Sequence, residues 1–307
     1  MSIQSSHDSE RVVVISQGLA EYGQREIAFA VKLRPSEAVE AVTAELHQLL
    51  DAVESLAAQG KLVEAGGFSE FGRPGFLNSS IQGLVYASAQ GLAPEFPNDA
   101  LLGVFLHSAE VQVAKSTCAL RLLSRLGQAS SHFPFPPTTD RDRPGVAVEG
   151  DEESLLAMVA KLSLNGACLS MSQGSVRLRC NASARQQLAR AFVDLPPDAA
   201  FALVTEPDPE ADGRLVWYPG QTAPAAITPP NGSGQRLTGC MLLVARGATE
   251  DTVRLQEDGF ALVVRDATWA QLSNALVSGS TWHLPSAGNS LDLRVEPLDE
   301  LDGRVIH

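Results

Sequence analysis

Residues 133–137 read Phe-Pro-Phe-Pro-Pro, and no other stretch limits the fold as much. Proline lacks an amide hydrogen and clashes with the preceding turn, so this segment neither continues a helix nor fills a central strand. Asp140-Arg-Asp-Arg143 and the acidic Glu149–Glu153 follow it. A chain of 307 residues holds one large domain or two smaller ones, at roughly 100–200 residues each. The break predicts two. We place them at residues 1–146 and 147–307, with Ser130 to Gly150 as a connection or ordered arm.

Composition narrows the class. Apolar residues make up 44% and charged residues 19%, a globular balance. With 36 Asp and Glu against 23 Lys and Arg, the formal charge is −13. A surface that tracks nucleic-acid phosphates or anionic lipid needs clustered cations, so no nucleic acid and no membrane insertion is expected. The first residues carry no basic leader, and the first apolar run, Val12–Ile15, is far short of the about 20 residues that span a bilayer. A cytoplasmic protein is the expectation. Cys118, Cys168, Cys180 and Cys240 form no C-x-x-C pair and lie in or beside apolar runs, so they read as small core residues.

Periodicity sketches the elements. Val12–Ser16 and Ile27–Leu33 read as strands, with a glycine-bounded turn from Gly18 to Gly23. Val39, Val42, Leu46, Leu49, Leu50, Val53 and Leu56 recur at three- and four-residue steps, the mark of an amphipathic helix. Ser36 is placed to cap it and Gly60 to stop it. After a glycine-rich loop, Ile81–Ala87 and Leu101–Leu106 read as strands, and Val111–Leu126 as a helix weakened at Thr117 and Cys118 and ended by Gly127.

The second half holds a weak internal repeat. Residues 164–169 align with 237–242, and 176–192 with 260–276. Each copy (164–218 and 237–296) runs strand, strand, helix, strand, strand. That order implies an α+β fold of two domains, each a largely antiparallel sheet with helices packed on one face. Asp258-Gly259 is the strongest hairpin signal.

Catalytic signatures are missing. H-E-x-x-H, the P-loop pattern, G-x-G-x-x-G after a strand and G-x-S-x-G do not occur. Asp208–Gly213 has oxygen ligands at alternate positions and a sixth-position glycine, but Pro219 stands where a calcium loop needs a bidentate glutamate. It reads as a polar turn, and no metal or cofactor is expected. His107 precedes Glu110, an acid–base pair on paper and a strand-end histidine in the plainer reading. The densest basic and aromatic grouping is Arg121, Arg125, His132, Phe133, Phe135, Arg141 and Arg143. Arginine beside aromatics suits protein contacts, so these seven form the candidate interaction surface. The plainer reading neutralises the arginines with Asp140 and Asp142.

Several ordered pieces carry a resemblance: Gly18-Leu19, Gly23–Ile27, Gly83–Tyr86, Leu102–Leu106, Leu123–Gly127, Pro134–Pro136, Arg141–Arg143, Leu237–Gly239, Gly247-Ala248, Glu257–Gly259 and Leu272–Leu276. In order and spacing they resemble the C-terminal conserved region of endosomal FYVE-domain scaffold proteins, the Smad anchor for receptor activation and endofin. The first half is more faintly similar to suppressor-of-fused-like domains. The resemblance implies a non-catalytic scaffold region. The zinc finger and the Smad-binding segment of that family are not written here, so its lipid, Smad and endosomal properties do not transfer. The sequence therefore predicts a protein-interaction module with an unnamed protein partner, and it leaves a homo-oligomer open. The alternatives are a hydrolase using His107 or His132 in a cleft between domains, and a receptor for a peptide or small ligand.

Overall fold

A computed structural model describes residues 1–72, 75–194, 196 and 199–298. The chain divides into two compact units. One comprises Met1–Ser130 and Phe135–Ala147; the other comprises Ser131–Pro134 and the chain from Val148 onward.

Unit 1 is built on six strands: β1 (Ser2–His7), β2 (Arg11–Gln17), β3 (Ile27–Lys32), β4 (Phe68–Glu70), β5 (Ile81–Ser88) and β6 (Leu101–His107). Their order is β1-β2-β3-β6-β5-β4, antiparallel except between β3 and β6. Helix α1 (Val39–Ala57) lays Val42, Leu46, Leu50 and Val53 on Phe29, Leu84, Tyr86 and Phe105. Helices α2 (Ser108–Ser116) and α3 (Ala119–Ser130) follow β6. Gly83 faces Val111 of α2, where an added Cβ would come within 2.8 Å, whereas its neighbour Leu84 belongs to the core under α1. Successive strand residues point to opposite faces, so helices cover both sides of this sheet. Continuous burial along β2, β3 and β6 has the same cause.

Unit 2 contains α4 (Leu155–Met158), β7 (Ala160–Ser172), β8 (Ser175–Cys180), α5 (Ala182–Asp194), β9 (Ala200–Glu206), β10 (Gly213–Val216), β11 (Ala225–Ile227), β12 (Arg236–Gly239), β13 (Met241–Arg246), β14 (Thr252–Gln256), β15 (Gly259–Val264), α6 (Asp266–Ser278), β16 (Trp282–Leu284) and β17 (Asp292–Pro297). The strands form one mixed sheet; antiparallel pairs outnumber the parallel pairs β7–β9, β8–β17, β10–β12 and β13–β15. Along β8, Val176, Leu178 and Cys180 turn inward and alternate with half-buried polar residues. α5 and α6 share one core with these strands, and the rings of Phe192 and Trp269 stack at 4.2 Å. The described residues are α+β, with two sheets and six α-helices.

Local expectations are corrected in four places. Ser36 does not cap α1: it sits in a turn at φ +63°, and the helix begins at Val39 after Ala38. Val111–Leu126 is not one helix, because Thr117 leaves helical geometry and separates α2 from α3. Gly127 does not stop α3, which buries that glycine and runs on to Ser130. The β14–β15 turn is Glu257-Asp258, one residue earlier than Asp-Gly, since Gln256 pairs with Gly259. The Glu257 carboxylate holds this turn by accepting from the Ser154 hydroxyl and the Leu155 N–H at 2.5 and 2.7 Å.

Candidate functional site

A groove in unit 2 arises where β8 hands over to α5. Asn181 caps α5 by accepting the Ala184 N–H at 2.8 Å, and its own N–H donates to the Gly166 carbonyl at 2.8 Å. This fixes the helix start directly beyond Cys180. β17 runs parallel to β8, and the Leu298 N–H donates to the Cys180 carbonyl, which brings Pro297 and Leu298 to the same place. On the other side, α6 ends at Gly279, whose φ of +74° lets its N–H return to the Ala275 carbonyl.

Between these elements lies an open groove of about 1070 Å³. Ala182, Gln186, Ala189 and Val193 line it from α5, at three- and four-residue spacing, so they form a second stripe beside the core-facing Ala184, Leu188 and Phe192. Leu276, Val277 and Ser278 line it from α6. Val193 is 73% and Val277 72% exposed, the two most exposed large apolar side chains in the described residues. Among the described residues its cations are Arg185 and Arg190, and its acid is Asp194. Arg185 is a buried side chain whose Nη2 has no hydrogen-bond partner. Burial pushes the Cys180 thiol up to about 12, against the pull of Arg185, so it remains a protonated thiol at neutral pH. The lining offers guanidinium and hydroxyl donors over an apolar wall.

Of the seven residues of the candidate interaction surface, four are buried. Arg121 and Arg125 are fully buried in α3, and Arg125 donates to the Val146 carbonyl at 3.3 Å. Phe135 and Arg141 are buried too. Arg141 donates to Glu37 in a paired fork, and to the Leu77 and Lys32 carbonyls at 3.0 and 2.9 Å. Arg143 forks onto Glu110, with both contacts at 2.6 Å. Burial of Glu110 works to raise its pKa, but the Arg143 bonds and charge, with the Val146 and His107 N–H groups, outweigh it and hold the carboxyl below its ordinary range. These arginines fasten residues 135–147 onto unit 1. His132 and Phe133 belong to unit 2, where His132 is exposed and Phe133 half-buried.

His107 occupies a more suggestive position. Its Nε2 lies 3.2 Å from the Arg143 carbonyl, which can only accept, so the neutral ring carries its hydrogen there. Nδ1 then accepts from the Ser80 hydroxyl at 2.8 Å. Glu110 meets His107 through the backbone N–H, at 2.8 Å, and not through the ring. Asp208 is likewise engaged by Ser170 and Arg179, at 2.6 and 2.5 Å, as a turn anchor. Among the described residues, no group of three or more His, Cys, Asp or Glu is placed to hold a metal, and no helix is long and apolar enough to cross a membrane.

No family model and no curated protein matches the chain. Among solved structures it is similar to Drosophila Suppressor of Fused, at 12% identity and a TM-score of 0.37 over 96% of this chain and 88% of that one. It is also similar to a chain of a Sufu-Fu complex, at 17% identity and 0.36 over 47% and 76%, and to a suppressor-of-fused homolog from Neisseria gonorrhoeae, at 19% and 0.35 over 48% and 79%. The fainter of the two sequence resemblances is thus the one these structures share; none of them is an endosomal FYVE scaffold. At such scores the likeness carries no argument about what this chain does.

Proposed function

We propose that the chain is a non-catalytic interaction module that seats an apolar segment of a partner protein between α5 and α6. The observation that carries this reading is the pair Val193 and Val277, bare at the rims of a groove of about 1070 Å³. Large apolar side chains left in water beside an open groove are the usual mark of a helix-binding surface. Four free, buried cysteines suit a reducing cytoplasm. A photo-crosslinking residue installed at 193 or 277 tests the reading, with 158 as control, since Met158 is exposed elsewhere in unit 2. Adducts to one defined partner from 193 and 277 alone are expected; identical adducts from all three positions would defeat the proposal.

The Ser80–His107 pair supports a second reading, a weak esterase. A serine hydroxyl on a histidine whose far nitrogen is fixed by a carbonyl is the start of a nucleophilic dyad. Turnover of an activated ester that Ser80→Ala and His107→Ala both abolish is the outcome required.

A further inference from the structure

We propose that the α5–α6 groove selects acidic partners, with an aspartate or glutamate carboxylate of an amphipathic helix docking on Arg185. This deepens the groove reading and rests on it. Arg185 retains only 7% of its exposure, lines the groove, and leaves Nη2 without an acceptor. A guanidinium nitrogen that has surrendered water and gained no acceptor is costly. An incoming carboxylate supplies the missing acceptor once the Arg185 side chain turns outward from this enclosed position into the groove.

Among the described lining residues Asp194 is the one acid, nine residues along α5 from Arg185. Nη1 lies 3.5 Å from where a Cβ on Gly279 would sit, close to the carbonyl end of α6, whose negative dipole end stabilises the arginine cation itself and not an incoming carboxylate. Among the described lining residues Arg185 and Arg190 outweigh Asp194, in a chain of formal charge −13. A second copy of this chain would set the same positive lining against itself across a two-fold axis. The apolar wall of Ala189, Val193, Leu276 and Val277 specifies the remainder of the ligand: an apolar stripe beside the acid.

Fluorescence anisotropy with the full chain and two labelled fifteen-residue amphipathic peptides provides the test. The peptides share a leucine stripe and differ only in carrying Glu or Gln beside it. The Glu peptide is expected to bind about tenfold tighter or more, the worth of a charged hydrogen bond. Arg185→Met should remove that preference and leave Gln-peptide affinity unchanged, and Arg185→Lys should restore part of it. An unaltered circular-dichroism midpoint for Arg185→Met excludes unfolding as the cause. Equal binding of both peptides, indifferent to Arg185→Met but weakened by Val193→Asp with Val277→Asp, would keep the groove and overturn the acidic selectivity. Binding of neither peptide would overturn both. Dimers that dissociate in the double valine variant would assign the groove to a second copy. Peptide binding only after Asp299, Glu300 and Asp302 are neutralised would assign it to the chain's own acidic run. Either result overturns the proposal.

Discussion

Three arginines show what a partner is worth. Arg143 meets a fully buried Glu110, and Arg141 meets Glu37, whereas Arg185 Nη2 meets nothing. Removing one member of a buried pair strands the other, so Glu110→Ala should cost about 3–5 kcal/mol in denaturant unfolding. Arg185→Met strands nothing and should leave the thermal midpoint level or raised. Acid sensitivity follows from the same pair. Glu110 titrates lower in the folded chain than in the unfolded one, so its contribution is complete above the ordinary glutamate value of 4.5 and is lost as the pH falls through the folded value. Glu110→Gln should therefore lower stability at pH 7 and flatten its decline below pH 4.5. Sequence reading picked Arg141 and Arg143 as unusual but placed them at a surface. Their carboxylates lie 104 and 33 residues away, and spacing along the chain cannot report such pairs.

At the scale of elements, periodicity carried most of the information. The α1 stripe and the strands around residues 12–16, 27–32, 81–87 and 101–106 follow from it, because each has a buried side whose period is fixed by geometry. Boundaries were less legible, since tertiary contacts set them: Glu37 turns toward Arg141 ahead of α1, and Gly127 is held inside α3 by packing. The groove was hidden for a different reason. Val193 and Val277 stand 84 residues apart, the spacing that aligns 176–192 with 260–276, but one column past the core-facing positions. An exposed valine shared by both helix ends was the available signal. Glycine supplies the prediction at this scale. A Cβ on Gly259 would sit 2.0 Å from the Met241 carbonyl oxygen, part of a neighbouring backbone that cannot rotate away. Gly259→Ala should destabilise the chain by about 1–3 kcal/mol or more through overpacking, read as a lowered urea midpoint.

On the whole-molecule scale the proline-rich break marks a change of unit, yet the chain does not simply pass from one unit to the next there. Residues 131–134 group with unit 2, and 135–147 return to unit 1. The returning arm is built in: Thr139 lies parallel to Val31, its N–H donates to the Ala30 carbonyl at 2.9 Å, and its carbonyl accepts the Lys32 N–H at 3.0 Å. Phe135 and Val146 are buried at its two ends, and Arg141 and Arg143 satisfy Glu37 and Glu110 between them. We propose that unit 1 is an independent folding unit only when the arm is present. A fragment of residues 1–147 should melt cooperatively by circular dichroism. A fragment of residues 1–130 ends where α3 ends, exposes the backbone edge of β3 beside Val31, and leaves Glu110 and Glu37 without their arginine partners. Losing the Arg143–Glu110 pair, at about 3–5 kcal/mol, together with the half-buried Arg141–Glu37 pair and the burial of Phe135 and Val146, approaches the whole stability of a domain, about 5–15 kcal/mol, so this shorter fragment should show no cooperative transition. Equal melting of the two fragments would mean that the arm is merely laid on unit 1, and that its arginines are available to another molecule after all.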